Sequence, residues 1–141
     1  MKYLSMIALF SIATSLSAQA ESLNIQVNTE RDGGQFMIAL FDSQKAFDER
    51  NITSAVKTIA QKGAHNIEMP DINFGTYGVA IFQDLNENMQ LDLDERGIPT
   101  EPFGFSNNPE VSYGAPKFEA FAFEFTKDNM RAEINLQEIN I

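Results

Sequence analysis

The segment TYGVAIFQD, residues 76–84, decides the fold class of this chain. Tyr77, Val79 and Ile81 fall on one face of an extended strand, and further apolar residues fall on the other face. A strand with apolar side chains on both faces is typical of the middle of a sheet. We therefore predict that this segment is a central strand.

Two segments nearer the N-terminus also have strand character. LNIQVN, residues 23–28, alternates apolar and polar side chains like a half-buried strand, and FMIALF, residues 36–41, fits a strand covered on both faces. Between them RDGG, residues 31–34, has two glycines that can adopt positive φ, so the sequence predicts an opening hairpin. The polar residues 42–50 around Phe47 predict a loop or one helical turn.

The next segment fits two kinds of secondary structure. Its apolar residues recur at helical spacing, yet some of them also alternate as in a strand; they include Ile52, Ala55, Val56, Ile59 and Ala60. Periodicity alone leaves both a strand and a helix open for residues 53–61. Lys62-Gly63 then ends the segment as a hairpin turn or a helix C-cap. A short strand at 66–69 and a turn at 70–75 lead into the central strand.

The C-terminal part of the chain predicts a closing hairpin. FEAFAFEF, residues 118–125, and MRAEINLQ, residues 130–137, both alternate, and a polar turn at 127–129 joins them. Six or seven short strands without a long helix predict an all-β fold, a single antiparallel β-sandwich of about seven strands. Only residues 84–116 depart from this spacing, and a polar loop of that length is typically functional or disordered.

Residues 1–20 have the features of a cleavable signal peptide, with a basic Lys2, a short apolar run and Ala18-Gln19-Ala20 at the end. No later stretch approaches the ~20 apolar residues that a transmembrane segment needs. We therefore expect one domain at residues 21–141, exported to the periplasm or the extracellular space. The absence of cysteine fits a bacterial exported protein and excludes disulfides, thiolate metal sites and cysteine nucleophiles.

The mature chain is strongly acidic. Without the signal peptide it keeps 9 basic and 20 acidic residues, a net charge of −11. This balance makes nucleic acid an unsuitable partner and favours divalent cations.

The stretch DLNENMQLDLDE, residues 84–95, has an oxygen donor at every ligand position of an EF-hand-type calcium loop. Residues spaced by two in a tight loop can turn their oxygens toward one centre, and calcium takes six to eight oxygens. We therefore predict calcium as the cofactor, with Asp94 and Glu101 as alternative ligands if the last residue of the set points away. The predicted ligands are Asp84, Asn86, Asn88, the Gln90 carbonyl, Asp92 and Glu95.

Two features separate this loop from a complete EF-hand. Met89 stands at the sixth place, where the pattern has glycine, and a positive φ there costs a residue with a side chain of the order of 1 kcal/mol. No amphipathic helices flank the loop, so the helix pair that opens in calcium sensors is missing. We expect weak affinity, roughly 10⁻⁴ to 10⁻³ M. The alternative is an Asp/Asn-rich turn whose side chains bond only to their own backbone.

The stretches VAIFQDLNENMQLD and GIPTEPFGFSNN resemble a bacterial secreted family, domain of unknown function 2141. Its members carry D-x-N-x-N-x-x-L-D after a G-x-Y strand, and then G-[IV]-P-x-E-x-[YF]-G-[FW]-S-N. The resemblance implies a small exported β-sandwich, immunoglobulin-like or transthyretin-like, and a strand at residues 53–61. It implies no activity, and Met89 departs from the small turn residue that the family prefers.

Other candidate sites are weaker. Phe103, Phe105 and Tyr113 lie among Pro and Gly residues, where they form a possible surface for stacking on a sugar or a peptide. We favour the alternative that these rings fold back onto the core. His65, the only histidine, is predicted to be an exposed turn residue, and no Ser or Asp partner for a catalytic triad is recognisable.

These observations lead to one expectation and two rivals. We expect a non-enzymatic exported domain whose calcium loop has a structural or binding role. One rival is a metal-free module that interacts with an envelope, matrix or carbohydrate partner. The other is a small carbohydrate-active enzyme that uses the loop carboxylates.

Overall fold

The computed structural model of the chain describes residues 20–111 and 114–140. The predicted signal peptide, except for Ala20, and Tyr113 therefore lie outside the described residues. Within them, no helix has the length and apolar character needed to cross a membrane. The elements are β1 Ala20–Thr29, β2 Gln35–Phe41, α1 Gln44–Asp48, β3 Ser54–Ile59, β4 Gly63–Asn73, β5 Gly75–Asp84, β6 Phe103–Phe105, α2 Phe118–Phe121, β7 Ala122–Phe125 and β8 Arg131–Asn135.

The chain is mostly β and forms two sheets around one core. A three-stranded sheet has the order β4-β1-β8, and a five-stranded sheet has the order β3-β2-β5-β6, with β7 also paired to β5. All the strand pairs are antiparallel except β1 and β8, which run parallel. Apolar side chains from both sheets meet in a shared cluster that includes Leu23, Ile25, Val27, Phe36, Ile38, Leu40, Met69, Val79, Ile81 and Ile134.

The central strand is confirmed. β5 pairs with β2 along one edge and with β6 and β7 along the other. Val79 and Ile81 are buried in the core, as the alternation predicts. The ambiguous segment at residues 53–61 contains the strand β3, as the family resemblance implies, and the single helical turn α1 lies in the polar region around Phe47.

The predicted opening hairpin is wrong, because β1 and β2 belong to different sheets. The glycines at residues 33 and 34 do adopt positive φ, but the connection packs against the end of β5 instead of folding back on β1. Thr29 Oγ1 donates to Gln83 Oε1 at 2.7 Å, and the Gln83 amide donates to the carbonyls of Arg31 and Gly33. A hairpin turn and a link between two sheets use the same residue types, so turn chemistry does not distinguish them.

The predicted closing hairpin is wrong too, and the turn at Lys62-Gly63, left open from the sequence as a hairpin turn or a helix C-cap, also links the two sheets. Residues 60–62 lead from β3 in the larger sheet to β4 in the smaller one, and residues 126–130 lead from β7 to β8. The predicted turn at residues 70–75 is largely wrong as well, since β4 continues through Pro70 to Asn73.

The predicted strand at residues 118–125 is half right. Its first four residues form the helical turn α2, and only Ala122–Phe125 extend as β7. Packing explains the difference: the Phe121 ring lies 5.0 Å from the ring centroids of both Phe47 and Phe105. Gly78 leaves the space for this ring, because a Cβ at that position would lie 2.4 Å from Phe121. The aromatic contacts override the strand pattern of the local sequence.

Candidate metal site

The last residue of β5 starts the acidic loop. Asp84 is fully buried, and its carboxylate accepts hydrogen bonds from the N–H groups of Asn88 at 3.2 Å and Met89 at 2.8 Å. The side-chain amide of Gln35, the cross-strand partner of Asp84, donates a third bond at 3.0 Å. These bonds curl residues 84–89 into a tight turn around one carboxylate.

The turn requires positive φ at two residues that have side chains. Glu87 has φ of 58° and Met89 has φ of 64°. Met89 occupies the sixth place of the calcium-loop pattern, so the backbone takes the conformation that favours glycine there although the residue is not glycine. Holding Met89 in this region costs of the order of 1 kcal/mol, which the bonds to Asp84 must offset.

The two asparagines extend the turn toward Asp92. Asn86 Oδ1 accepts from the Asn88 N–H at 3.2 Å, and Asn88 Oδ1 accepts from the Gln90 N–H at 3.0 Å. Both side-chain amides donate to the Asp92 carboxylate, Asn86 at 2.5 Å and Asn88 at 2.8 Å. The structure thus brings together Asp84, Asn86, Asn88 and Asp92. Gln90, whose backbone carbonyl is also a predicted ligand here, is the residue directly after the turn at residues 84–89. The side-chain oxygens of Asn86, Asn88 and Asp92 keep unused acceptor positions for a cation, whereas hydrogen bonds already occupy most of those of the Asp84 carboxylate.

Glu101 joins the two ends of the loop. Its side chain is 4 % exposed, and its two carboxylate oxygens accept from the N–H groups of Leu85 at 2.9 Å and Asp92 at 3.1 Å. Thr100 adds two bonds to the Asp92 carbonyl, from its N–H and its hydroxyl. Glu101 therefore lies at the base of the loop, immediately before the segment that leads into β6.

Glu95 and Asp94 lie outside this group. Glu95 is exposed, and its side chain makes no hydrogen bond to another described residue. Asp94 caps a separate turn, where it accepts from the N–H groups of Arg96 and Ile98 and pairs with the Arg96 guanidinium at 2.9 Å. Of the two alternative ligands named from the sequence, only Glu101 is thus bonded to the loop at residues 84–92.

The acidic turn that begins at Asp84 and the one that begins at Asp94 both favour an ionised carboxylate, but only the second contains an ion pair. Burial acts to raise the pKa of Asp84, but the hydrogen bonds from Gln35, Met89, Asn88 and Glu87 outweigh it and hold this pKa below the usual value. The pKa of Asp94 is also lowered, first by the Ile98 N–H and in addition by Arg96. Among residues 20–111 and 114–140, ion pairs form at Arg31, Lys45, Lys62 and Arg96, and none of them involves Asp84, Asp92 or Glu101.

Carboxylates alone do not make a metal site here. In the described part of the chain, no group of three or more His, Cys, Asp or Glu side chains is placed to hold a metal ion. A cation at this loop would therefore depend on the amide oxygens of Asn86 and Asn88 and on a backbone carbonyl. Such neutral oxygens suit calcium, which accepts carbonyl ligands readily.

The aromatic residues after the loop are mainly packed against the sheet. Phe103 is 4 % exposed, and the half-buried Phe105 ring lies 6.1 Å from Phe47 and 5.0 Å from Phe121. Ser106 is buried, where its hydroxyl accepts from the Val79 N–H and donates to the Phe121 carbonyl. Phe103 is thus not available for stacking on a ligand, in agreement with the interpretation that we favour from the sequence.

Asn108 links the two sheets. Its side chain accepts from the Asn135 N–H at 2.8 Å and donates to the Glu133 carbonyl at 3.2 Å, so it ties the end of β6 to β8. The G-F-S-N-N stretch therefore has a structural role in this region.

Sequence reasoning missed two residues and misplaced a third. Gln35 and Gln83 hold the start of the loop through hydrogen bonds from their side-chain amides. A glutamine at the end of a strand carries no signal of such a role in the sequence. His65 is not an exposed turn residue: it lies within β4, half-buried, and packs edge-on against Phe36 at 5.1 Å.

Comparison with known proteins agrees with the sequence resemblance. The model of the DUF2141 family, described as an uncharacterized protein conserved in bacteria, matches residues 25–133. No curated protein and no solved structure matches the chain. The matched region contains the second half of β1, all of β2 to β7, the acidic loop and most of β8. This chain therefore belongs to the DUF2141 family.

Proposed function

We propose that the chain is an exported β-sandwich domain, immunoglobulin-like or transthyretin-like, whose acidic loop binds one calcium ion. The proposed ligands are the side chains of Asp84, Asn86, Asn88 and Asp92 and the Gln90 carbonyl. Glu101, rather than Glu95, supplies the third negative charge at the base of the loop. The role assigned to the ion is structural and non-catalytic.

The observation that carries this proposal is the burial of two carboxylates without a cationic partner. Asp84 and Glu101 are 0 % and 4 % exposed, and no Lys, Arg or His among the described residues pairs with either. Buried charges in proteins are usually paired or coordinate a metal. Backbone N–H donors stabilise both groups but carry no net charge, and a divalent cation would supply the compensating positive charge.

The loop connects the ion to the fold. Asp84 ends the central strand β5, and Glu101 lies two residues before β6, which pairs with β5. An ion held between the two ends of the loop would restrict the ends of both strands. We therefore expect calcium to stabilise the pairing of β5 and β6, and through it the packed Phe103 and Phe105.

Thermal unfolding with calcium and with a chelator tests the proposal. A ligand that binds only the folded state at ten times its Kd stabilises it by roughly 1.4 kcal/mol, or roughly 4–7 °C in Tm for a domain of this size. We expect this rise with calcium, loss of it in Asp84→Asn, and no loss in the matched control Asp94→Asn. Identical melts of the unmodified protein in calcium and chelator would contradict the proposal and favour the metal-free interaction module.

A further inference from the structure

A polar groove lies at the other end of the molecule from the acidic loop. It has a volume of about 500 Å³ and lies in the seam between the edge strands β3 and β4 of the two sheets. Tyr77 lines the groove from β5 and lies seven residues before Asp84. In an extended strand this spacing places the groove about 23 Å from the start of the loop. The lining residues are Thr53, Ser54, Ala55, Pro70, Asp71, Ile72, Asn73 and Tyr77.

An irregularity in β4 forms one wall of this groove. The pairing of β1 with β4 shifts register between Glu21 and Leu23, so that Pro70 and Asp71 have no direct partner on β1. Asp71 has φ of 60°, while the neighbouring Ile72 is buried in the core and anchors the segment. A bulge at a sheet edge changes the direction of side chains, and bulges are frequent beside binding sites.

Tyr77 forms a fixed part of the lining. Its hydroxyl donates to the Asn73 carbonyl at 2.9 Å, which ties β5 to the end of β4. Burial and the nearby negative charge of Asp42 both raise the pKa of Tyr77, so the phenol stays protonated at neutral pH. The groove therefore presents an aromatic ring in one orientation together with a neutral hydroxyl group.

The polar groups of the groove are free to bind a ligand. The side chains of Thr53, Ser54, Asp71 and Asn73 make no hydrogen bond to any other described residue, although all of them line the same space. Together they offer hydroxyls, an amide and a carboxylate. No Lys, Arg or His is among the lining residues, so the groove has no cation to receive an anionic group.

We propose that this groove binds a neutral carbohydrate. A sugar presents several hydroxyls that both donate and accept, which matches the mixed hydroxyl, amide and carboxylate lining. The apolar face of a pyranose ring can pack against Tyr77 and Pro70, because the tyrosine side chain offers an apolar ring face beside a polar hydroxyl group. The volume is within the range of ligand sites, about 300–1,000 Å³, and the polar lining argues for a polar ligand. This inference is independent of calcium binding at the other end of the molecule.

Amide chemical shifts measured during sugar titrations test the inference. The probes are maltotriose, cellotriose, N-acetylchitotriose and galactose at millimolar concentrations, with galacturonic acid as the anionic counterpart of galactose. We expect at least one neutral sugar to shift the amides of residues 53–55 and 71–73, and galacturonic acid to bind more weakly than galactose. Shifts with none of the neutral sugars, or shifts confined to other regions, would overturn the inference.

Variants identify the groove as the site. Asp71→Ala and Asn73→Ala should each weaken binding roughly three- to tenfold, the effect of one lost hydrogen bond. Glu30→Ala, an exposed position beside Thr29 at the opposite end, should leave sugar affinity unchanged. The thermal melts of all three variants report whether the fold is intact. Unchanged affinity in both folded groove variants would contradict the assignment.

Tyrosine fluorescence gives an independent measurement. The chain has no Trp, and Tyr77 and Tyr113 are the only tyrosines after the predicted signal peptide. In Tyr113→Phe the emission of the mature protein therefore comes from Tyr77 alone. We expect this emission to change with the same sugar that shifts the groove amides. A constant emission through saturation of the chemical shifts would place the sugar away from Tyr77 and contradict the proposed contact.

Discussion

The loop after the central strand contains two acidic turns, at Asp84 and at Asp94, that differ most in how the charge of the carboxylate is compensated. In the first, Asp84 accepts hydrogen bonds from backbone N–H groups four and five residues ahead; in the second, Asp94 accepts from N–H groups two and four residues ahead. Both carboxylates have a lowered pKa. Only the second has a counterion, because Arg96 pairs with Asp94 at 2.9 Å.

This difference separates turn formation from charge compensation. Backbone donors alone suffice to shape an acidic turn, so the geometry of the first turn by itself does not require an ion. The first turn, however, buries Asp84 completely, and next to it the Asp92 N–H donates to the Glu101 carboxylate. None of these three acidic side chains pairs with a basic side chain among the described residues. The second turn is thus accounted for by local structure, and the uncompensated charge of the first turn is the basis on which we propose a cation there.

The largest expected effect comes from removing the buried carboxylate of the first turn. Asp84→Ala leaves the Gln35 amide and the N–H groups of Asn88 and Met89 without their acceptor. We expect the free energy of unfolding to fall by about 2–3 kcal/mol in urea titrations without calcium. Asp94→Ala is the matched control and should lose clearly less stability than Asp84→Ala. Equal losses in the two variants would remove the distinction between the turns.

The next largest effect concerns the base of the loop. Glu101→Gln keeps one oxygen acceptor but directs an amide N–H₂ at a second backbone N–H, so either the Leu85 or the Asp92 bond is lost. We expect a loss of about 1–2 kcal/mol without calcium and a smaller calcium response in thermal melts. A variant that is less stable but keeps the full calcium response would limit Glu101 to a structural role.

Relieving the strain at Met89 should have a smaller effect of opposite sign. Glycine adopts a φ of 64° without steric cost, although it also increases the conformational entropy of the unfolded chain. We expect Met89→Gly to raise the free energy of unfolding by about 0.5 kcal/mol and to tighten calcium binding. Lower stability together with weaker binding would mean that the Met89 side chain contributes more than its backbone conformation costs.

The smallest expected effect is a change in stability that appears only at acidic pH. Because the pKa of Asp84 is lower in the folded state, the stability it contributes is fully present above the unfolded-state value of about 3.9 and is lost as the pH falls through the folded-state value. We expect calcium-free stability to decrease below about pH 4, and less steeply in Asp84→Asn. Asp94→Asn should also flatten the profile, because its pKa is shifted in the same direction. A profile unchanged by Asp84→Asn would show that its hydrogen bonds do not favour the ionised form.

Local pattern was sufficient for the longer strands but not for their partners, and it missed the short strand β6, which lies inside the predicted loop at residues 84–116. Alternation identified β1 and β8, and apolar residues on both faces identified β2 and β5, because side chains on a strand follow a period of two whatever the strand pairs with. The predicted opening and closing hairpins failed because pairing depends on contacts distant in sequence, such as the Thr29–Gln83 bond that holds the first connection against β5. The helical turn α2 was missed for the same reason, since it depends on space left by Gly78.

The candidate site was predictable where its geometry is local. The spacing of Asn86, Asn88 and Asp92 placed them in one turn, where side-chain hydrogen bonds link them, and a positive φ at Met89 followed from its place in the pattern. That their oxygens converge on one ion stays a prediction. The choice between Glu95 and Glu101 was not predictable, because it depends on the chain returning across the loop at β6. The role of Gln35 was not predictable for a similar reason, since only the register of β2 against β5 places it opposite Asp84.

Isothermal titration calorimetry with calcium tests the central claim most directly. For the unmodified mature protein and for Asp94→Asn, the account predicts binding of one ion with a Kd of roughly 10⁻⁴ to 10⁻³ M. For Asp84→Asn it predicts no binding heat in the same concentration range. No heat with the unmodified protein, or the same binding in Asp84→Asn as in Asp94→Asn, would contradict the assignment of a calcium site to the first turn.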